Sequence, residues 1–191
     1  MLWILMVCLS FNGNLLARED ILDFDMQVKQ WAESCNHEVT SLFESLLNSN
    51  VLTMPQLFDT FYIPIPDTEP PKYSTQYDKQ LEAPLQKICD TYLNKDEKLV
   101  YVMAVDAYGY LPAANSKFSI SPTGNREEDL KNSRVKRILN DRIGRNASKN
   151  NDPYLVQQYA LDTGEEIVDF SIPIFIRDRH WGAVRIGYKK N

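Results

Sequence analysis

The sequence lacks the residue patterns on which most enzymes depend. No nucleophile elbow, HExxH pair, P-loop or glycine-rich dinucleotide loop occurs, and the seven glycines are scattered along the chain. The two histidines, His37 and His180, leave a serine or cysteine nucleophile with few partners for a catalytic triad. The paired acids Glu165 and Glu166 lie at a predicted turn. We therefore predict no catalytic residue and a protein that is not an enzyme.

Cysteine is scarce and has no motif spacing. Cys8, Cys35 and Cys89 form no CxxC pair and no cluster that could hold a structural zinc. Cys35 and Cys89 could form one disulfide, but two buried free thiols are the preferred interpretation. Cys35-Asn36-His37 ends like a haem-attachment motif whose first cysteine is missing. The sequence thus predicts no covalent c-type haem, no metal and no other cofactor; a non-covalent metal or haem is a weaker alternative that an absorbance spectrum would reveal.

The chain also lacks the positive charge typical of a nucleic-acid-binding protein. Its net charge is −5 and its isoelectric point is about 5.1. Residues 131–149 nevertheless carry seven basic side chains and one acid, so this run is at +6 and the remainder at −11. Two interpretations fit the run: a solvated helix face, or a surface that faces an anion. No nucleic-acid partner is predicted.

Residues 1–17 begin with an apolar run that ends near Asn12. At eleven residues the run is too short to span a bilayer, which takes about 20 apolar residues. Its length suits the core of a secretory signal, although no Lys or Arg precedes it. We expect a signal peptide or membrane-anchor remnant, and hence a periplasmic or membrane-tethered protein. The alternative is a cytoplasmic protein.

A long helix is predicted over 19–48. Apolar residues recur there at spacings of three or four and form a near-heptad seam. Because so narrow a stripe packs against one partner helix, we expect it to face either the chain's own helix at 76–94 or a second subunit in a homodimer. The seam comprises Ile21, Phe24, Val28, Trp31, Cys35, Val39, Leu42 and Leu46.

A proline-rich connector separates the two predicted helices. A single helical turn is predicted over 54–60. The four prolines within 62–75 then favour an extended path packed on the domain. Residues 76–94 return to a helical pattern that Pro84 should kink.

The sequence pattern of the last third of the chain predicts a β-sheet. Its element order is β-β-α-α-β-β-β, which predicts an α+β fold: a PAS-like five-stranded antiparallel sheet with helices on one face, preceded by the long N-terminal helix. The predicted strands are 99–105, 110–114, 154–161, 166–176 and 180–188, and the predicted helices are 127–140 and 141–149. We divide the chain into the segment 1–17, a helical lead-in at 18–96 and a PAS-like sheet domain at 97–191.

Polar side chains collect around the pocket expected between helices and sheet. Arginine can hold a carboxylate through two parallel hydrogen bonds, and tyrosine hydroxyls beside it would complete a small-anion site. The alternative is that the arginines and aspartates pair with one another and hold the helices on the sheet. The candidate ligand-binding residues are Tyr110, Asn115, Arg134, Arg137, Asp141, Arg142, Tyr159 and Asp169.

Several stretches occur in a recognisable order: 109–115, 134–144, the turn 162–165 with Asp169, and the closing run 179–188. Together they resemble the Cache/PAS-like sensor region of methyl-accepting chemotaxis proteins. The resemblance implies an extracytoplasmic-type ligand sensor, often dimeric through its long helices, whose terminal segments shift when ligand binds. Some members of the broader group carry c-type haem on a CxxCH motif, which this chain lacks.

We therefore predict a small-molecule sensor domain of a chemoreceptor or a related signal-transduction protein. It would bind a small anionic ligand, for example a carboxylate, between sheet and helices. The alternative is a ligand-free interaction module in which the 21–46 helix pairs with a partner receptor.

Overall fold

The computed structural model describes residues 12–161 and 164–190, and within these ranges the side chains from Asp23 onward. Most of the predicted signal or anchor segment, residues 1–11, lies outside the described residues. The helices are α1 (Asn12–Asn48), α2 (Met54–Leu57), α3 (Asp78–Leu93), α4 (Arg126–Asn132) and α5 (Arg142–Lys149). The strands are β1 (Ile63–Ile65), β2 (Lys72–Ser74), β3 (Leu99–Asp106), β4 (Leu155–Ala160), β5 (Glu166–Ile176) and β6 (Arg179–Lys189).

Helix α1 is the long helix predicted from the apolar seam, and it begins at Asn12 instead of residue 19. The seam residues Val28, Cys35 and Val39 are fully buried. They pack against β5, β6 and α3, so the seam already has an intramolecular partner. From Asp23 onward, where side chains are described, a homodimer through α1 would have to use the outer, mostly polar face of the helix. Over the described ranges, no helix is long and apolar enough to cross a bilayer.

The two described cysteines lie on neighbouring helices, Cys35 on α1 and Cys89 on α3. Both are buried free thiols, which confirms the preferred prediction. Burial raises the pKa of both thiols, and that of Cys89 to about 12, because an apolar surrounding disfavours the thiolate. They behave as small apolar side chains in the interface between helices and sheet.

The proline-rich connector lies on the domain as a short antiparallel ribbon of β1 and β2. The predicted helical turn before it is present as α2. The Tyr62 hydroxyl fixes the start of the ribbon by donating to Asp106 at 2.6 Å. The Tyr73 amide fixes its end by donating to the Lys136 carbonyl at 2.8 Å. The connector is therefore packed on the domain, as its aromatic residues predict.

The main sheet has four antiparallel strands in the order β3-β6-β5-β4. Four of the five predicted strands are confirmed to within one residue at each end. Consecutive strands β4, β5 and β6 are neighbours, and β3 pairs with the outer edge of β6. The α+β class and the long N-terminal helix are thus confirmed.

The fifth predicted strand, 110–114, is wrong. Apart from one turn hydrogen bond, from the Asp106 amide at the end of β3 to the Tyr110 carbonyl at 3.0 Å, its backbone pairs with residues 136–139. The Leu111 amide donates to the Arg137 carbonyl at 2.9 Å, and the Lys136 amide donates to the Leu111 carbonyl at 2.8 Å. The sheet therefore has four strands and is not the predicted five-stranded sheet.

Two features explain why 110–114 does not extend the sheet. Pro112 has no N–H to donate to a neighbouring strand. Asn115 places its side chain where a fifth strand would pair, because its Oδ1 accepts the Val102 N–H of β3 at 3.0 Å. A side-chain amide thus covers part of the edge of β3.

The predicted helix 127–140 is wrong beyond Asn132, where α4 ends. Residues 133–139 form an irregular segment with isolated bridges at Ser133 and Ile138 and a turn at Lys136, whose φ is 65°. The Arg134 amide donates to the Phe118 carbonyl at 2.8 Å. Local apolar spacing indicated a helix, but pairing with distant segments determines the backbone here. The arginines of this stretch therefore lie on a non-helical segment, which we name the 133–139 segment.

Helices cover both faces of the sheet, which corrects the prediction of helices on one face. Helices α1 and α3 cover one face. The predicted helix 141–149 is confirmed as α5, and it lies with the 133–139 segment on the other face. That second face carries Tyr101 and Met103 of β3, and the candidate site forms there.

Candidate functional site

A cleft of about 330 Å³ opens between the second face of the sheet and the chain from 134 to 143. Its volume lies at the lower end of the range for small-molecule sites in proteins. The cleft is lined by Tyr101, Met103, Arg134, Leu139, Asp141, Ile143, Tyr159 and Arg185. We refer to this space as the sheet cleft.

Three buried polar groups form the floor of the sheet cleft. Arg185 Nε and Nη2 lie 3.0 and 2.8 Å from Asp169 Oδ2. The Tyr101 hydroxyl donates to the same oxygen at 2.5 Å. Asp169 is 0% exposed and Arg185 is 4% exposed, so solvent does not screen this pair. The positive charge of Arg185 is compensated within the protein.

The pKa shifts of the floor agree with this geometry. Burial is the largest single influence and lowers the pKa of Arg185, but the charge and hydrogen bond of Asp169, with smaller contributions from Tyr101 and Asp141, together raise that pKa above its ordinary value. Burial raises the pKa of Tyr101, and the charge of Asp169 raises it further. Arg185 therefore stays charged and Tyr101 stays protonated at neutral pH, and both donate to Asp169.

Gly187 allows Tyr101 to reach across the sheet. Tyr101 on β3 and Asp169 on β5 both stand opposite Gly187 of the intervening strand β6. A Cβ atom at Gly187 would lie 2.3 Å from the Tyr101 ring. The ring consequently lies directly over the glycine backbone, and only the absence of a side chain there permits this contact.

Arg134 supplies the charged wall of the sheet cleft. Its guanidinium carbon lies 4.5 Å from the centre of the Phe118 ring, and its Nε donates to the Lys131 carbonyl at 2.9 Å. Burial lowers the pKa of Arg134. Among the residues that the structure describes, no carboxylate forms a salt bridge with Arg134. This half-buried arginine thus keeps an uncompensated positive charge.

The start of α5 closes one side of the sheet cleft. Asp141 caps the helix, because its Oδ1 accepts the Gly144 N–H at 3.0 Å. A Cβ at Gly144 would lie 2.5 Å from the Leu139 carbonyl oxygen and 3.4 Å from Arg185 Nη1. The glycine therefore lets the helix approach the floor closely. Asp141 itself remains exposed at the rim.

Four of the predicted ligand-binding residues belong to this region. Arg134, Asp141 and Tyr159 line the sheet cleft, and Asp169 lies in its floor. The Tyr159 and Tyr101 hydroxyls are 3.4 Å apart. These residues come from the 133–139 segment, the cap of α5, β4 and β5, so the fold brings distant parts of the chain together.

The other four predicted residues do not line the sheet cleft. The Tyr110 hydroxyl donates to Asp78 at 2.9 Å, on the side of α3. Asn115 holds the edge of β3, as described above. Arg137 Nη1 donates to the Leu130 carbonyl at 3.1 Å, and Arg142 is exposed on α5. For Tyr110, Asn115 and Arg137 these contacts indicate structural roles.

Sequence reasoning missed Tyr101 and Arg185, which complete the floor. Tyr101 alternates with Val102 along β3, so the strand pattern places it on the face opposite the one that packs on α3. Arg185 is the only charged residue within 181–188. An isolated charge in an apolar strand indicates a buried pair, because such a charge is rarely left without a partner.

A second depression of about 350 Å³ lies where β3 ends and β6 begins. Its buried carboxylate, Asp106, accepts the Tyr62 and Tyr77 hydroxyls at 2.6 and 3.0 Å and also two backbone N–H groups. Burial raises the pKa of Asp106, although these hydrogen bonds oppose the shift. The protein itself fills the acceptor sites of this side chain, so the sheet cleft is the better candidate.

No group of His, Cys, Asp and Glu that could hold a metal ion occurs in the described part of the chain.

The chain matches no protein-family model and no curated protein. Among solved structures, it is similar to an extracellular ligand binding receptor from Desulfohalobium retbaense DSM5692, at 16% identity and a TM-score of 0.36 over 85% of this chain. The chain spans 25% of the length of that protein. A likeness at this TM-score carries no conclusion about fold or function.

Proposed function

We propose that this chain is a ligand-binding sensor domain that takes a small organic anion in the sheet cleft. One observation carries the proposal: the half-buried guanidinium of Arg134 faces the cleft, and no carboxylate of the described residues pairs with it. A partly desolvated charge without a counter-ion is unfavourable. An anionic ligand would supply the missing partner.

The surroundings of Arg134 suit such a ligand. Stacking on Phe118 and the hydrogen bond to the Lys131 carbonyl restrict the side chain before any ligand arrives. A carboxylate could then accept two parallel hydrogen bonds from the guanidinium at little entropic cost. The hydroxyls of Tyr101 and Tyr159 stand on the sheet side of the same space.

The wider context of this binding rests on the sequence resemblance to the Cache/PAS-like region of chemotaxis receptors. We propose accordingly that the domain belongs to a chemoreceptor or a related signal-transduction protein, in the periplasm or tethered to a membrane. Ligand binding in the sheet cleft would be its sensory event.

A thermal-shift panel of carboxylic acids and amino acids tests the binding proposal. A ligand at about 100 times its Kd stabilises the folded state by about 2.7 kcal/mol, which for a chain of this size raises Tm by about 5–10 °C. We expect at least one organic anion to give such a shift for the wild type. Arg134→Gln should lose most of it.

Arg145→Gln is the matched control, because Arg145 is an exposed arginine of α5 and does not line the sheet cleft. It should keep the full ligand-induced shift. The proposal fails if no organic anion stabilises the wild type, or if Arg134→Gln responds to the ligand as Arg145→Gln does.

The interaction module predicted as an alternative would work through α1. The buried seam of that helix faces the chain's own sheet and α3. From Asp23 onward, where side chains are described, such a module would have to bind through the outer, mostly polar face. Sedimentation of the wild type would detect this association. A variant with a reversed charge on the outer face of α1, for example Glu33→Lys, should weaken it.

A further inference from the structure

The sheet cleft is lined by two cations, Arg134 and Arg185, and by one anion, Asp141. Arg185 is held by Asp169 at 2.8 and 3.0 Å, so this pair contributes no net charge. Asp141 stands at the rim as the cap of α5. Arg134 is therefore the one lining cation, within the described residues, that is free to hold a ligand anion.

A second anionic group would meet unfavourable surroundings. To bind it, Arg185 would have to release Asp169, which is 0% exposed and would be left buried with only the Tyr101 hydroxyl as a donor. Asp141 adds like-charge repulsion at the rim. The cations that line the cleft can thus neutralise one negative charge of a ligand but not two.

A ligand ammonium group would also find no well-placed partner. Asp169 Oδ1 has no hydrogen-bond partner among the described residues, but the carboxylate lies beneath Tyr101 and is fully buried. Asp141 is exposed, and an exposed ion pair contributes little to affinity. An α-amino acid therefore gains little over the corresponding simple acid.

The remaining lining is apolar. Met103, Leu139 and Ile143 contribute side chains without polar hydrogen-bonding groups, and Tyr101 and Tyr159 contribute their rings. Each methylene group that a ligand buried here would raise affinity about fourfold. The space beside Arg134 thus favours a ligand whose remaining part is apolar.

From these observations we propose that the ligand is a monocarboxylate with an apolar body, whose carboxylate binds Arg134 and whose body lies against Met103, Leu139 and Ile143. This inference rests on the proposed anion-binding function and narrows it. It excludes dicarboxylates and amino acids as the preferred ligands of the cleft.

Isothermal titration with ligands on one carbon skeleton tests the inference. The first set is butyrate, 2-aminobutyrate, ethylmalonate and butyramide; the second is 3-phenylpropionate, phenylalanine, benzylmalonate and 3-phenylpropanamide. In at least one set we expect the monocarboxylate to bind at least tenfold more tightly than the amino acid, the diacid and the amide. Acetate should bind more weakly than butyrate.

A charge variant sharpens the test. Asp141→Asn keeps a good helix cap and removes the rim charge, so ethylmalonate or benzylmalonate should gain more affinity than the matching monocarboxylate. Asp178→Asn, at the β5–β6 turn with positive φ, is the control. It should change neither the affinity for the diacid nor that for the monocarboxylate.

The outcomes separate this inference from the proposed function. Tighter binding of a diacid or amino acid that is lost in Arg134→Gln would overturn the monocarboxylate inference and leave the anion site standing. If neither monocarboxylate binds, the inference is also overturned. The wider thermal-shift panel then tests whether any organic anion binds at Arg134.

Discussion

The Tyr101 hydroxyl donates to Asp169 Oδ2 at 2.5 Å across 68 residues of sequence, and the ring crosses β6 over Gly187 to do so. This contact joins β3 to β5 beneath the sheet cleft. Together with Arg185 it makes the floor a closed network in which each charge has its partner. The floor therefore has a structural role. The charge that can pair with a ligand lies in the wall of the cleft, at Arg134.

Tyr101→Phe tests the hydrogen bond of the floor. The variant keeps the ring and removes the donor to a buried carboxylate, so we expect a loss of about 1.5–3 kcal/mol in the free energy of unfolding. Urea denaturation measures it. Tyr108→Phe, at a tyrosine that is 56% exposed, should change stability by less than about 0.5 kcal/mol. Equal losses in the two variants would contradict the role of Tyr101.

Gly187→Ala tests the crossing of the Tyr101 ring. Alanine normally stabilises a strand interior relative to glycine, but here its Cβ would lie 2.3 Å from the ring. We expect a loss of about 1–3 kcal/mol. In a Tyr101→Leu background the same change should be neutral or stabilising, because the ring is gone. Additive effects in this double-mutant cycle would argue against the contact.

The outcome for α1 and for β4 to β6 shows what local pattern can predict. The apolar residues of α1 recur every three or four positions, a spacing that keeps them on one face of the helix. That face packs on β5, β6 and α3, and Val28, Cys35 and Val39 are buried there. The later strands are bounded by short turns and rich in β-branched residues. In these stretches local preference and tertiary packing agree.

The 133–139 segment shows where local pattern fails. Its apolar spacing is helical, yet its partners are the distant backbone groups of Leu111 and Phe118, which no local window contains. The candidate site depends on the same kind of contact. Arg134 was identifiable from residue type, but the pairing of Arg185 with Asp169, which leaves Arg134 as the free cation, appears only in three dimensions.

The burial of His180 leads us to predict that stability depends on pH. Burial lowers its pKa below the ordinary value of 6.5, so near and below pH 6.5 the unfolded chain binds a proton that the folded chain resists. The free energy of unfolding therefore falls as pH drops through this window. His180→Gln should reduce the decline between pH 7 and 5, measured by urea denaturation. His37→Gln, at an exposed histidine, should keep the wild-type slope; a wild-type slope in both variants would count against the prediction.

Phe118 predicts an effect on ligand affinity through Arg134. Phe118→Leu removes the ring on which the guanidinium lies, and with it a cation–π contribution of about 0.5–1 kcal/mol. The Kd of the best organic anion should rise about two- to fivefold by calorimetry. Phe61→Leu, at a phenylalanine that is 76% exposed, should leave the Kd unchanged. An unchanged Kd in Phe118→Leu would show that the stacking does not position Arg134.

The most direct measurement is a crystal structure of the protein with its tightest-binding carboxylate. The account predicts both ligand oxygens within about 2.7–3.0 Å of the Arg134 guanidinium, with the Asp169–Arg185 pair intact beneath them. A ligand bound to Arg185 in place of Asp169, or seated in the depression beside Asp106, would contradict it.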